Sequence, residues 1–79
     1  MPTLFFEGSY RVYFTSHDIK EPAHVHIERD GIRMKVWLYN LVVAHNAGFS
    51  MNEVAKILRI IQDRKAECTE KWDEFFGKK

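Results

Sequence analysis

The sequence has one cysteine, Cys68, among 79 residues, so no disulfide can form within the chain. A single thiol excludes a disulfide-rich secreted scaffold and is compatible with a reducing compartment. No apolar run approaches the roughly 18 residues of a membrane span, and the first seven residues lack the basic region of a signal peptide. There is also no internal repeat or low-complexity segment. We therefore expect a soluble cytoplasmic protein without a targeting segment.

The sequence has almost no net charge, since 12 Lys and Arg oppose 11 Asp and Glu to give +1. This balance argues against a nucleic-acid binder that works by overall basicity, although a local basic patch remains open. A length of 79 residues is enough for one hydrophobic core and excludes a two-domain enzyme. We predict a single domain over residues 1–79, with a β-meander over 1–47 and a C-terminal helix over 48–77.

Turn-forming residues divide the first half of the sequence into strands. Alternating apolar and polar residues predict strands over 3–7, 10–15, 23–29 and 32–38. Gly8-Ser9 suits a type II′ turn, and Asp30-Gly31 is the strongest hairpin signal in the chain. Residues 41–44 fit either a fifth strand or the start of a short helix, and we prefer the strand. The predicted fold class is α+β: an antiparallel four- or five-stranded β-meander with a long C-terminal helix packed on one face.

The second half has helical periodicity. Ser50 and Glu53 form the S-x-x-E pattern of a capping box, and Gly77 suits the end of the helix. One helix over 51–76 would be about 39 Å long at 1.5 Å per residue, which exceeds the width of a five-stranded sheet at about 4.8 Å per strand. We therefore expect an overhang or a bend near residues 62–67. Beyond it the aromatic residues either fold back or bind a partner, which makes them candidate partner-binding residues: Trp72, Phe75 and Phe76.

The second hairpin determines which side chains share a face. Counting back from Asp30-Gly31 pairs His26 with Lys35 and His24 with Trp37. The same count through Gly8-Ser9 separates Phe5, Val12 and Phe14 from Leu4. One face of the predicted sheet is then apolar, contains the first three and suits the helix. The other, which we name the open face, mixes aromatic and basic side chains. Its candidate substrate-binding residues are Arg11, Tyr13, Arg33, Lys35 and Trp37, and Phe6, His24, His26 and Glu28 lie beside them.

Basic side chains among aromatic ones are typical of sheets that bind single-stranded RNA, because cations bind phosphates and rings stack on bases. The alternative is structural: the aromatic side chains pack under a loop or across a homodimer, and Glu28 and Arg33 form a cross-strand ion pair. The sequence leaves both interpretations open.

His24 and His26 are the candidate catalytic residues. Their Cα atoms should lie about 7 Å apart on one strand face, and histidine titrates near neutral pH as an acid–base pair requires. With Arg33 and Lys35 stabilising the developing charge, the pair suits a metal-independent ribonuclease. Zinc would need further ligands, and nothing in the sequence brings His17 or His45 to the pair. We expect no metal or cofactor, and ordinary surface histidines are the third interpretation.

Six segments spread over the chain form a recognisable set: Pro2-Thr3-Leu4-Phe5, Gly8-x-Tyr10-Arg11, Glu21-Pro22-Ala23-His24-Val25-His26, Lys35-x-Trp37-Leu38, Gly48-Phe49-Ser50 and Trp72-x-x-Phe75. They resemble a small prokaryotic family, domain of unknown function 4160, whose E-P-P-H-V-H segment is matched except that Ala23 replaces proline. The family's histidines carry over to His24 and His26. The resemblance implies a layout like a toxin–antitoxin pair, with a cognate small protein as partner and RNA as a target.

Two functions follow from the sequence. The first is a toxin–antitoxin-type component whose open face binds or cleaves RNA. The second is a non-catalytic module that binds a cognate small protein through the open face or the aromatic end. Loss of RNA cleavage in His24→Ala or His26→Ala would indicate the first, and loss of a protein partner in Trp37→Ala or Trp72→Ala the second.

Overall fold

The computed structural model of the chain describes residues 3–15 and 20–77. His17 therefore lies outside the described residues. The described part forms one antiparallel sheet in which spatial order follows chain order, so it is a meander. This confirms the α+β prediction, with two helices in place of one. The elements are β1 (Thr3–Glu7), β2 (Tyr10–Tyr13), β3 (His24–Arg29), β4 (Ile32–Trp37), β5 (Val43–Asn46), α1 (Met51–Asp63) and α2 (Lys65–Phe76).

The two predicted hairpin turns form where glycine allows positive φ. Gly8 has φ 60° at the first turn, and Asp30 and Gly31 have φ 52° and 82° at the second. Positive φ at both central residues gives a type I′ turn, whose twist matches that of the flanking strands. The register of β3 and β4 is the predicted one, from Arg29 opposite Ile32 to His24 opposite Trp37.

The fifth strand exists but begins two residues later than predicted. Leu41 has φ 57°, and its N–H donates to the Trp37 carbonyl at 2.9 Å. Trp37 N–H in turn donates to the Val42 carbonyl at 3.0 Å. Leu41 thus belongs to a turn, and β5 runs from Val43 to Asn46. The shift brings His45 into the sheet.

The helical region breaks at Arg64, inside the segment where a bend is predicted. Arg64 has φ −117° and ψ 22°, outside helical geometry, although its N–H still donates to the Ile60 and Ile61 carbonyls at 3.2 Å each. Its guanidinium donates to Glu7 at 3.2 Å and lies 3.7 Å from the centre of the Phe5 ring. The break therefore sits against β1.

The start of α1 carries half of the predicted capping box. Ser50 Oγ accepts from the Glu53 N–H at 3.2 Å. The Glu53 carboxylate does not return to Ser50 in the described hydrogen bonds. It accepts from Tyr10 Oη at 3.1 Å and forms an ion pair with Arg29, and thereby ties the helix start to β2 and β3.

The core lies between one sheet face and the helices. The face count through Gly8-Ser9 is correct for Phe5, Val12 and Phe14, which are all buried. It is wrong for Leu4, which was expected on the open face and instead packs against the core. The cause is an irregularity in β1 that skips Leu4 between the Thr3–Tyr13 and Phe5–Val12 pairs. The central buried residues are Phe5, Val12, Val25, Ile27, Met34, Val36, Leu38, Phe49, Ile57, Ile61 and Cys68.

Neither described helix is both long enough and apolar enough to span a bilayer.

Candidate nucleic-acid interface

A row of polar side chains crosses four strands of the open face. Tyr13 pairs with His26, His26 with Lys35, and Lys35 with His45. Paired residues of an antiparallel sheet place their side chains on the same face, about 5 Å apart. All four residues also line one open depression of about 750 Å³. We call His26, Lys35 and His45 the His–Lys–His row.

A second row runs beside the first and carries most of the remaining charge. Phe6 pairs with Arg11, Arg11 with Glu28, and Glu28 with Arg33. Arg11 forms an ion pair with Glu28 at 3.6 Å, whereas Arg33 is exposed and forms no ion pair with the described residues. The register thus brings four cationic or imidazole-bearing candidates onto one surface, as the sequence predicts: Arg11, His26, Arg33 and Lys35.

The imidazole of His26 is held by its neighbours. Its ring stacks on the Tyr13 ring at 5.2 Å and 27°, and the His24 ring meets it edge-on at 5.1 Å and 88°. His26 is half-buried, so part of the ring still reaches the depression. Two such contacts restrict the side-chain rotamer and give His26 a defined orientation toward the open face.

His24 lies on the same side of β3 but is completely buried, which corrects the expectation that it is exposed. Nδ1 donates to the Pro22 carbonyl at 2.8 Å, so this nitrogen carries a proton. The Trp37 and Trp72 rings lie 5.5 and 5.4 Å away. Strand alternation assigns the face correctly but cannot show that a tryptophan of α2 covers this end of it.

His45 is the site residue that sequence analysis missed. Placing the last strand over 41–44 left His45 in a loop, whereas β5 sets it opposite Lys35 with its side chain exposed. The available signal was the short Val43–Asn46 stretch after Asn40-Leu41, which is too short for periodicity to decide.

Lys35 lies between the two imidazoles and binds an acidic side chain. Its Nζ forms an ion pair with Glu21 Oε1, and the same oxygen lies 3.9 Å from His24 Nε2. Nζ also lies 4.6 Å from the centre of the Trp37 ring. Glu21 therefore marks a position at the rim of the depression where an anionic oxygen is bound.

A cationic side chain lies over each of the two rings, Tyr13 and Trp37, that the sequence predicts to stack on bases. Lys35 lies over Trp37, and the Arg11 guanidinium lies 4.5 Å from the centre of the Tyr13 ring, which is buried. On the described part of the open face the exposed rings are Phe6, 67 % exposed beside Arg11, and Tyr39, 65 % exposed and 6.4 Å from Trp37. Bases would therefore stack at the two ends of the open face more readily than at its centre.

The candidate partner-binding residues at the end of α2 fold back onto the protein. The rings of Trp72, Phe75 and Phe76 lie 5.2, 5.4 and 5.3 Å from the ring of Phe14. Trp72 is buried and Phe75 is 48 % exposed. Of the two alternatives for this cluster, the structure shows the intramolecular one, and a protein partner at this end stays a prediction.

Cys68 is buried and its thiol is unreactive. Burial, and to a smaller extent the Glu67 carboxylate, raise the pKa of its thiol from 9.0 to about 11, against a smaller lowering by Arg64. The thiol is therefore neutral at physiological pH and is no nucleophile. Among the described residues, no three His, Cys, Asp or Glu side chains converge as metal ligands would.

A family model covers most of the chain. Residues 9–73 match the family described as a domain of unknown function (DUF4160). No curated protein and no solved structure matches the sequence. The matched segment holds the whole His–Lys–His row, the four strands β2 to β5, and Trp72. The chain belongs to the DUF4160 family.

Proposed function

We propose that the open face binds single-stranded RNA. The observation that supports this most is the arrangement of cationic and imidazole side chains between two exposed aromatic rings on one sheet surface. Phosphates require cations, and unpaired bases require accessible rings. The open face offers both, with the exposed rings at its two ends and the basic side chains in the depression between them, on the side of the sheet away from α1.

The distance between the two exposed rings determines how long a bound RNA must be to reach both of them. Phe6 on β1 lies in register with Arg33 on β4, three strand spacings or about 14 Å away at 4.8 Å each. Tyr39 follows six residues after Arg33, which adds up to about 20 Å along the strand direction at 3.3 Å per residue. Arg11, Arg33 and Lys35 lie on the strands between them. A short stretch of single strand can therefore place a base on each ring while its phosphates cross the basic side chains.

The imidazoles favour RNA over DNA as the ligand. The 2′-hydroxyl both donates and accepts hydrogen bonds, and a neutral imidazole has one donor and one acceptor nitrogen. His26 and His45 flank the centre of the depression and supply such groups. Because the net charge is only +1, the affinity should come from this patch and fall steeply as salt is added.

The test is the affinity of a fluorescein-labelled single-stranded RNA, measured by anisotropy at several salt concentrations. Arg33→Ala and Lys35→Ala should each weaken binding by about five- to tenfold and reduce the slope of log K against log salt by about 0.7. The matched control is Arg59→Ala, which removes the same charge from the exposed surface of α1 and should leave both quantities unchanged.

Three results would contradict RNA binding at the open face. They are the absence of binding, an affinity that does not respond to salt, and an Arg33→Ala variant that behaves like Arg59→Ala. A role in a toxin–antitoxin-type pair with a cognate small protein stays a prediction from the family resemblance, and the geometry of the open face supports the RNA-binding part of it.

A further inference from the structure

We infer that the open face also cleaves bound RNA, with His26 and His45 as the acid–base pair and Lys35 between them. This inference rests on the proposed function. It replaces His24, which is buried, with His45, which is exposed on β5. The observation that supports the cleavage inference is that His26 and His45 both pair across strands with the same lysine, Lys35.

The spacing of the two imidazoles suits the reaction. His26 and His45 lie two strands apart, so their Cα atoms are separated by about 10 Å. In an in-line displacement at phosphorus, the attacking and leaving oxygens lie on opposite sides, and each needs one hydrogen bond of about 2.8 Å. A phosphate bound over Lys35 lies between the two imidazoles, so that one can reach the attacking oxygen and the other the leaving oxygen.

The step needs no added reagent. One imidazole, neutral, takes the proton of the ribose 2′-hydroxyl, and the 2′-oxygen forms a bond to the adjacent phosphorus. The bond from phosphorus to the 5′-oxygen of the next nucleotide breaks with its electron pair. The other imidazole, protonated, gives its proton to that oxygen. The products are a 2′,3′-cyclic phosphate and a free 5′-hydroxyl, and the two histidines finish with their protonation states exchanged.

Lys35 is placed to stabilise the charge that develops on the phosphoryl oxygens. It pairs with a histidine on each side and already binds a carboxylate oxygen of Glu21. A phosphate oxygen is negatively charged like the Glu21 carboxylate oxygen, so it can replace that oxygen as the partner of Lys35 Nζ. His24 and Tyr13 act as positioning residues, because their rings hold the His26 ring and His24 itself is buried.

The reaction predicts a bell-shaped pH profile, because one imidazole must be neutral and the other protonated. Other titratable or charged groups face the row as well. They are Arg11 and Tyr13 from β2, Glu28 from β3, Arg33 from β4, and Glu21 and His24 at the rim.

The experiment measures cleavage and binding separately. Cleavage is followed on a fluorogenic RNA oligonucleotide in EDTA, with the product ends identified by mass spectrometry. Binding is measured on the 2′-O-methyl form of the same sequence, which lacks the nucleophile. His26→Ala and His45→Ala should each lower kcat by about 100-fold or more, remove one limb of the pH profile, and keep the affinity within about threefold. Arg59→Ala, purified in parallel, should cleave like the wild type. Its contrast with the two histidine variants excludes a contaminating nuclease, which would give the same activity in every preparation.

Each outcome separates the inference from the proposed function. If the wild type binds the 2′-O-methyl RNA but does not cleave the RNA, the cleavage inference is wrong and RNA binding stands. If it neither binds the 2′-O-methyl form nor binds or cleaves the RNA itself, both are wrong. If His45→Ala cleaves like the wild type, the acid–base assignment is wrong; this variant is decisive because His45 is exposed and its loss should not disturb folding.

Discussion

At the scale of single residues, Glu21 competes with any anionic ligand for Lys35. Its carboxylate forms an ion pair with Nζ and lies at the rim of the depression. The side chain is about half exposed, so the pair contributes little to stability, on the order of 0 to 1 kcal/mol. Its removal should therefore act on ligand binding more than on folding.

We expect Glu21→Gln to raise the affinity for single-stranded RNA by about two- to fivefold, because the lysine is released and one negative charge leaves the face. Anisotropy titration measures this directly. Glu70→Gln is the matched control, since Glu70 is an exposed glutamate on α2. Equal gains in both variants would show an effect of net charge alone and would contradict a local role for Glu21.

Cys68 gives the stability of the protein a defined dependence on alkaline pH. The folded thiol has a pKa of about 11 against 9.0 when it is not buried. Below pH 9 the thiol is neutral in both states and its contribution is fully present. Between pH 9 and 11 the unfolded thiol ionises first, so the free energy of unfolding falls over this range.

The corresponding measurement is chemical denaturation of the wild type and Cys68→Ala from pH 8 to pH 11. The variant loses buried volume and should be less stable at pH 8, by about 1 to 2 kcal/mol, and its stability should fall less steeply above pH 9. Native protein should also react with iodoacetamide far more slowly than unfolded protein. Parallel pH curves for the two proteins would exclude the thiol as the source of the dependence.

At the scale of elements, Arg64 joins the break between the helices to the first strand. It interacts with Glu7 and Glu67 and lies over the Phe5 ring. These contacts are partly exposed, so each contributes modestly. Together they determine where α2 leaves the direction of α1 and hence where Trp72 reaches His24.

Arg64→Ala should lower the free energy of unfolding by about 1 kcal/mol. The ring-current shifts of the His24 protons, which lie against Trp72, should also change. NMR of the histidine rings measures the second effect. The control is Arg59→Ala on the exposed surface of α1, which should change neither. An unchanged His24 spectrum in Arg64→Ala would show that Trp72 is positioned independently of the break.

Local rules were sufficient for the hairpins and the helix start. Asp30-Gly31 fixes a register in which His26 faces Lys35, and Ser50 marks the residue before α1. They failed at a turn in which a residue other than glycine adopts positive φ, and where a contact distant in sequence decides burial. Leu41 adopts a left-handed backbone because the turn closes onto Trp37, and His24 is covered by a residue 48 positions away, Trp72. The candidate site was therefore predicted as a face, and the burial of His24 was not predicted.

At the scale of the whole molecule, the near-zero net charge conceals an uneven distribution of basic and acidic side chains. The net charge is +1, yet the open depression is lined by three Lys or Arg side chains, two histidines and one glutamate. Acidic side chains gather elsewhere, as along α2 at Glu70, Asp73 and Glu74. A protein of this kind should meet polyanions in one orientation, with the open face directed toward them.

The meander also determines how the site is assembled during folding. Each strand pairs with the next one along the chain, so every ladder closes over a short loop and little loop entropy is lost at each step. All residues of the His–Lys–His row lie between positions 26 and 45. The row is thus complete once β3, β4 and β5 have paired in sequence. The helices then contribute the buried apolar surface that stabilises the paired strands.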